Sequence, residues 1–546
     1  MFFYSLVVAV QASIALAIPL ANPTVSLDSA TVTGITEGQV SKFFSIPYAQ
    51  PPTGDRRFRA PEPVTPYTGS INATSIKPVC PQQKSELPSK PNGVDEKVYD
   101  FVTGKLEAAN VPESEDCLNL NVLKPVNATP ESKLPVVVWI FGGGFQAGFS
   151  TQLDGSTVVE KSINLGQPVI HVSMDYRSNG FGFMASQEIK AAGVGNLGLR
   201  DQREALRWVQ RYIGAFGGDP TKVTIWGQSS GAISAALQMV TNGGDTEDLF
   251  RAAFLQSGAP ISVGDISHGQ VYYNQVVSET GCSEAVDTLA CLRTVPYQNL
   301  SDAINNTPPI FSYQSLHLTW LPRVDGDFIT DVPAHLVQQG KVANIPFVSG
   351  NCDDEGTLFS FTSLNVTTDD AVREYLRTVL LPSDVPEAEI DNLMRVYSAN
   401  VTEGSPYDTG YFNALTPQFK RLASIQGDLV FQAPRRFLVQ SLGGKQDTWS
   451  FVSKRLKSTA FIGSGHGTDL LNVYGGGDMA DYLIRFAANL DPNGNTGIDW
   501  PKYTTATPNM LTFQDDALQR LVITQDTYRK EALQVATRVL MEHPLL

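Results

Sequence analysis

Three residue types, set far apart in the chain, could together perform acyl chemistry. Gly227-Gln228-Ser229-Ser230-Gly231 is a serine set among small residues, after a strand-like run from Lys222 to Trp226 and before a small-residue helical run from Ala232 to Met239. A serine in G-x-S-x-G between strand and helix sits on a turn too sharp for larger neighbours. That turn lifts the hydroxyl out of the sheet, where it can attack an ester or acyl carbonyl. The chain holds 45 glycines, so the bare pattern arises readily by chance and its surroundings must decide.

A serine nucleophile needs a general base, an acid to orient that base, and N–H donors for the tetrahedral oxyanion. With an elbow of this kind the order along the chain is serine, acid, histidine. The six histidines allow elimination. His171 lies inside a strand-like run before the serine and is expected as a satisfied core residue. His268, His317 and His335 precede any well-placed acid, and His543 is at the C-terminal tip. His466 remains as the candidate base, in the glycine-flanked stretch Gly463-Ser464-Gly465-His466-Gly467-Thr468-Asp469.

For the acid, a strand-like run from Ile345 to Gly350 leads into Asn351-Cys352-Asp353-Asp354-Glu355-Gly356-Thr357. Three adjacent carboxylates cannot all be buried beside one imidazole, so at least two of them are expected as solvated loop charges. The residue pattern alone does not choose among the three, and Asp469 is a weaker rival because it follows the histidine. For the oxyanion, Gly142-Gly143-Gly144 ends the apolar run Leu134 to Phe141, and glycine lets backbone N–H groups approach a substrate closely. The N–H of Ser230 would complete the set. A phosphate-cradling role for these glycines fails, because no Lys-Ser/Thr follows them.

The elements that must position these residues alternate strand and helix. Buried strands are expected at Leu134–Phe141 and Pro168–Met174, then a helix at Asp201–Ile213 and the strand before Ser229, with later strands at Ala252–Leu255, Ile345–Ser349 and Trp449–Val452. Alternation of this kind marks a doubly wound, mostly parallel α/β sheet with helical insertions. Short strands are expected between Thr31 and Pro52. Between Cys80 and Cys117 a helix is expected from Asp95 to Ala109, with Val94, Val98, Phe101, Val102 and Ala109 on one face, interrupted by Lys105 and Gly104. No repeat or flexible linker divides the chain, so residues 18–546 are expected to form a single domain despite a length of 546 residues.

The formal charge of −15 argues against nucleic acid and anionic membranes as partners. Residues 1–17 combine an apolar core with Ala15-Leu16-Ala17, which reads as a secretory leader cleaved after Ala17; no stretch is long enough to span a membrane. In an oxidising compartment the near neighbours Cys80–Cys117 and Cys282–Cys291 are expected to pair and leave Cys352 free, although spacing alone leaves the connectivity open. Sequons at Asn72, Asn127, Asn299, Asn305, Asn365 and Asn400 fit a secreted glycoprotein.

Ser114-Glu115-Asp116-Cys117-Leu118-Asn119-Leu120-Asn121-Val122, Trp139 to Phe145 and Phe216 to Gly231 together resemble motifs of the type-B carboxylesterase/lipase family, the cholinesterase-like α/β-hydrolases. Leu321 to Gly326 and Asn413 to Arg421 are similar to segments of its secreted fungal lipases of the Candida and Geotrichum type, and the likeness runs from about Thr31 to Trp500. The resemblance implies an α/β-hydrolase fold and a serine ester hydrolase with no cofactor or metal. It implies a triad of Ser229, Glu355 and His466, oxyanion donors at Gly143, Gly144 and Ser230, and an acyl tunnel beginning near Leu358 and Phe359. It also implies the same two disulfides, with the first loop carrying a lid over the active site. The apolar stripe within residues 81–116 reads as a lid with Val98, Phe101 and Val102 facing the site when closed, the alternative being ordinary core packing. The substrate would be a small-molecule or lipid ester, met at a lipid–water interface.

The chain departs from that family at three points. Gln228 stands where glutamate is usual, Ser230 where alanine is usual, and Leu358 where an aromatic residue is common. A cholinesterase would need a tryptophan in the first disulfide loop, and residues 81–116 contain none. The alternatives are a carboxylesterase acting on soluble or aromatic esters and a non-catalytic binding protein on the same fold.

Overall fold

Short runs rich in β-branched, aromatic and other apolar residues and buried at nearly every position have no solvent face, so they are stable only inside a sheet covered on both sides. Such runs build this molecule, for which a computed structural model describes residues 22–64, 66–103 and 111–545. The strands are β1 (Thr24–Leu27), β2 (Ser29–Thr33), β3 (Ile35–Glu37), β4 (Val40–Pro47), β5 (Thr68–Asn72), β6 (Asn119–Pro125) and β7 (Leu134–Ile140). They continue as β8 (Ile170–Met174), β9 (Gly218–Gln228), β10 (Ala252–Gln256), β11 (Phe347–Cys352), β12 (Thr448–Lys454), β13 (Asn509–Gln514) and β14 (Leu521–Gln525).

β1, β2 and β5 make a small sheet, and the rest form one large sheet in the order β14-β13-β12-β11-β10-β9-β7-β8-β6-β4-β3. Pairing is parallel from β8 through β7, β9, β10, β11 and β12 to β13, and antiparallel at both margins. The mostly parallel, doubly wound sheet expected from the sequence is therefore present. In such a sheet the loops at the carboxyl ends of the strands share one edge, which is where a site assembled from distant segments can form.

Boundaries differ from the sequence expectation where glycine or polar residues interrupt the pattern. The helix expected from Asp201 begins at Leu197 and runs to Tyr212; Gly198 disguised its first turn, although Leu197 and Leu199 are both buried. β11 runs to Cys352 and delivers the carboxylate turn directly. The β13–β14 hairpin and β6 were not anticipated as strands.

The helix in the first disulfide loop spans Glu96–Thr103, and its expected continuation to Ala109 lies outside the described residues, as does the 1–17 leader. Both disulfides form, Cys80–Cys117 and Cys282–Cys291, with Cys352 free and buried. The principal apolar core surrounds the sheet. A second cluster joins Phe359, Leu422 and Phe431 to the C-terminal helix Lys530–Glu542. A third joins Val94 and Tyr99 of the first disulfide loop to Leu358, Phe361 and Phe419.

Candidate active site

β9 ends at Gln228 and the helix Ser230–Val240 begins two residues later, so Ser229 alone must reverse the chain. It does so at φ 56°, ψ −129°, a strained conformation for a residue with a side chain, costing on the order of 1–3 kcal/mol. The surroundings hold it there. Its N–H donates to the Gln256 carbonyl at 2.9 Å. A Cβ on Gly231 would stand 2.0 Å from the Ile140 carbonyl oxygen, and one on Gly227 would stand 2.3 Å from Gly231, so the elbow closes only with glycine on both sides. The helix is buried along its whole length, and its small Ala232, Ala235 and Ala236 let it pack closely between β9 and β10.

The turn after β11 and the loop after β12 bring the candidate acid and the candidate base together. His466 Nδ1 lies 2.5 Å from Glu355 Oε2. The other oxygen of Glu355 accepts the Cys352 N–H at 2.7 Å and the Asn351 side-chain amide at 3.3 Å. Asn351 is held in turn by Arg435 Nε at 3.0 Å, and Arg435 is paired with Asp526 at 2.5 Å. Burial alone would raise Asp526, but the Arg435 and Arg436 guanidiniums overcome it and hold its carboxyl at about 2. A chain of charge-assisted bonds therefore backs the Glu355 carboxylate. Phe431 and Phe359 pack on the imidazole with ring centroids 4.5 and 5.2 Å away.

The expectation of solvated carboxylates in this turn is overturned: Asp353, Asp354 and Glu355 are 4%, 0% and 1% exposed. They do not crowd one imidazole, because the turn points the two aspartates away from it. Lys457 Nζ bridges both, at 2.6 and 2.7 Å, and Lys454 reaches Asp353 at 3.4 Å. Asp354 also has a structural task. Its Oδ2 accepts the Ser464 N–H at 2.9 Å and its N–H donates to the Ser464 carbonyl at 3.0 Å, which pins the histidine loop to the acid turn. Asp469 is buried and bonded to Gln256 at 2.7 Å, not to the imidazole; burial, aided by the nearby Glu355 charge, pushes it up to about 6.

In front of the imidazole, His466 Nε2 faces the side-chain amide of Gln228 at 3.3 Å. No hydrogen bond joins it to Ser229 Oγ among the described residues. An amide nitrogen donating to Nε2 requires the neutral ring with its proton on Nδ1, toward Glu355. Gly143 (φ 123°) and Gly144 follow β7 beside Ser229, and their N–H groups donate to no backbone carbonyl among the described residues. Ser230 opens its helix, so its N–H has no carbonyl one turn back to reach.

These residues border a cavity of about 450 Å³, lined by Ser229, His466, Gly143 and Gly144 and by the apolar Phe101, Val102, Phe311, Leu358 and Phe359. Residues 82–85 and 101–103 of the first disulfide loop contribute to its wall. Val98 does not line it. That side chain packs instead against the Leu358–Phe361 cluster, because the helix turns its last residues, Phe101, Val102 and Thr103, toward the opening. Phe311 and Phe431 were missed by sequence reasoning: Phe311 lies in an irregular turn, and Phe431 in the π-helical turn Asp428–Gln432, where the helical period shifts inside the run from Phe419 to Leu442. His171 is buried as expected but is not satisfied, since neither ring nitrogen has a partner among the described residues. Five of the sequon asparagines are exposed; Asn305 is half-buried, and its Oδ1 accepts the Lys84 N–H at 2.7 Å.

A serine held in strained backbone at the carboxyl end of a central parallel strand, with a histidine on a loop beyond a later strand lining the same cavity, is the arrangement of the α/β-hydrolase fold. The comparisons agree with that class and narrow it. Residues 21–535 match the carboxylesterase family, and the chain belongs to that family. It is 43% identical to "Lipase 4" of Diutina rugosa over 508 residues, 89% of this chain and 90% of that one. It is 38% identical to "Secreted triacylglycerol lipase LIP1" of Gibberella zeae, over 88% of this chain and 85% of that one. Among solved structures it is similar to Aspergillus niger EstA, with a TM-score of 0.81, 26% identity, and coverage of 96% and 99% of the two chains. It is a carboxylic ester hydrolase. No helix among the described residues is long and apolar enough to cross a membrane.

Proposed function

We propose that the protein is a secreted lipase that cleaves lipid-like carboxylic esters through an acyl-enzyme on Ser229. His466 Nε2 takes the Ser229 proton as Oγ attacks the ester carbonyl, while Glu355 holds the Nδ1 proton in place and stabilises the imidazolium that forms. The oxyanion is received by the N–H groups of Gly143, Gly144 and Ser230. The proton on Nε2 then passes to the departing alcohol, and a water molecule repeats the sequence to release the acid. For Nε2 to reach Oγ, the Gln228 amide must yield its contact during the reaction.

The observation that carries this reading is the 2.5 Å Glu355–His466 contact beside a strained serine on the wall of an apolar cavity. The apolar wall favours acyl chains over charged substrates, and two of the relatives are named lipases. Residues 81–116 act as the lid, with Phe101 and Val102 as the side chains that must leave the opening. Secretion follows cleavage after Ala17, and residues 18–546 form one domain, glycosylated at exposed sequons. Ser229→Ala should lower kcat by about 10⁶-fold with folding unchanged; near-wild-type turnover would refute the assignment.

A further inference from the structure

Among the large apolar residues that the described structure exposes, only two are neighbours in sequence: Tyr411 and Phe412, 79% and 81% exposed. Single exposed apolar side chains are ordinary, but an adjacent aromatic pair on a rigid support is not. The support here is specific. Lys420 is fully buried, and its Nζ donates to Thr409 Oγ1 at 2.8 Å, the Gly410 carbonyl at 2.9 Å and the Phe412 carbonyl at 3.3 Å. A buried ammonium thus gathers the loop from beneath. Asp408 is tied to Lys454 at 3.1 Å, and Asn413 Oδ1 accepts the Phe461 N–H at 3.1 Å. The loop is fixed at both ends and in the middle, and it keeps its two aromatic rings in water.

Its place is equally informative. Two residues on, Leu415 packs into the apolar cluster that contains Val94, Tyr99 and Leu358. Leu358 lines the cavity, and Val94 and Tyr99 belong to the disulfide loop that covers it. An apolar layer that begins at Leu415, three residues after Phe412, therefore reaches the opening.

We propose that the Asp408–Asn413 loop is a docking site for a neutral lipid–water interface, with Tyr411 and Phe412 entering the headgroup layer beside the cavity. Aromatic side chains are favoured at that depth, where one end of a ring is apolar and the other wet. The net charge of −15 selects neutral over anionic surfaces. The proposal rests on the lipid-ester reading for its purpose, but its vesicle-binding readout does not depend on turnover.

The experiment compares wild type with the double variant Tyr411→Ser/Phe412→Ser. It measures sedimentation with phosphatidylcholine vesicles, hydrolysis of a monomeric short-chain nitrophenyl ester, and hydrolysis of a tributyrin emulsion. Vesicle binding should fall at least tenfold and the emulsion rate with it, while kcat/KM on the monomeric ester stays within about twofold. Adding anionic lipid should weaken wild-type binding. Phe412→Trp should bind and show a blue-shifted emission difference on vesicles. Unchanged vesicle partition in the double variant would overturn the proposal. So would a change confined to self-association, which would make the pair a contact between copies. Absent Ser229-dependent hydrolysis of the monomeric ester would instead refute the proposed function and leave the binding result to be read by itself.

Discussion

Two buried histidines, one inside the large sheet and one on a loop beyond it, could hardly be treated more differently. His171 lies within β8, 1% exposed, with the Trp226 ring edge-on 6.2 Å away and no hydrogen-bond partner on either nitrogen among the described residues. His466 lies in a loop beyond β12, 7% exposed, with a carboxylate on Nδ1 and an amide on Nε2. Burial pushes His171 down to about 4, because nothing nearby compensates a charged ring there except a weak influence from Asp154. The lesson is that burial alone makes a histidine inert. In the proposed mechanism, a carboxylate behind it and the cavity beside it turn the same side chain into a base.

The comparison breaks most visibly in turnover. His466→Ala should lower kcat by about 10⁶-fold, whereas His171→Met should leave ester hydrolysis within a few-fold. Comparable losses in both would mean that the partners do not set the role. Glu355→Gln tests the partner itself. It keeps the shape but no longer favours the proton on Nδ1, and kcat should fall by about 10⁴-fold. A loss under tenfold would make the carboxylate structural.

In stability the two histidines should exchange importance. The folded-state value of His171, about 4, lies below the unfolded value near 6.5. The neutral ring's contribution is therefore whole above pH 6.5 and is lost as pH falls from there toward 4. The loss should reach about 3 kcal/mol, read as the difference between wild type and His171→Met in denaturant titrations at pH 7 and pH 4. A difference that does not change with pH would contradict the assigned burial cost. The smallest effect belongs to the front of His466. Gln228→Glu places a carboxylate beside Nε2 and stabilises the protonated ring, so the acid limb of the kcat/KM profile should move to higher pH with a few-fold change in plateau. An unmoved limb would show that the 3.3 Å contact does not bear on the base.

What the sequence made legible follows the range of each interaction. The elbow could be read because its constraint is local: small residues, a strand before and a helix after. Most of the parallel sheet could be read because its strands carry their own apolar runs, while β13, its last parallel strand, and its hairpin partner β14 carry too little pattern to stand out. The acid could not be read from local pattern, since Asp353, Asp354 and Glu355 are equivalent until the turn is folded; only the family likeness chose Glu355. The clamp at Asp354 was hidden because its partners Ser405, Lys457 and Ser464 are 51, 103 and 110 positions away. His171 was misjudged as satisfied for the same reason. A strand residue's partners lie on other strands and helices, and here no hydrogen-bonding side chain arrived to meet it.

The central claim, that Ser229 is the nucleophile of this ester hydrolase, is tested most directly by stoichiometric labelling with a serine-directed organophosphonate followed by peptide mass mapping. The account predicts one adduct per chain, on the peptide containing Ser229, with hydrolysis lost in proportion to labelling and no adduct in Ser229→Ala. Full hydrolysis by a saturated protein, or stoichiometric labelling at another residue, would contradict it.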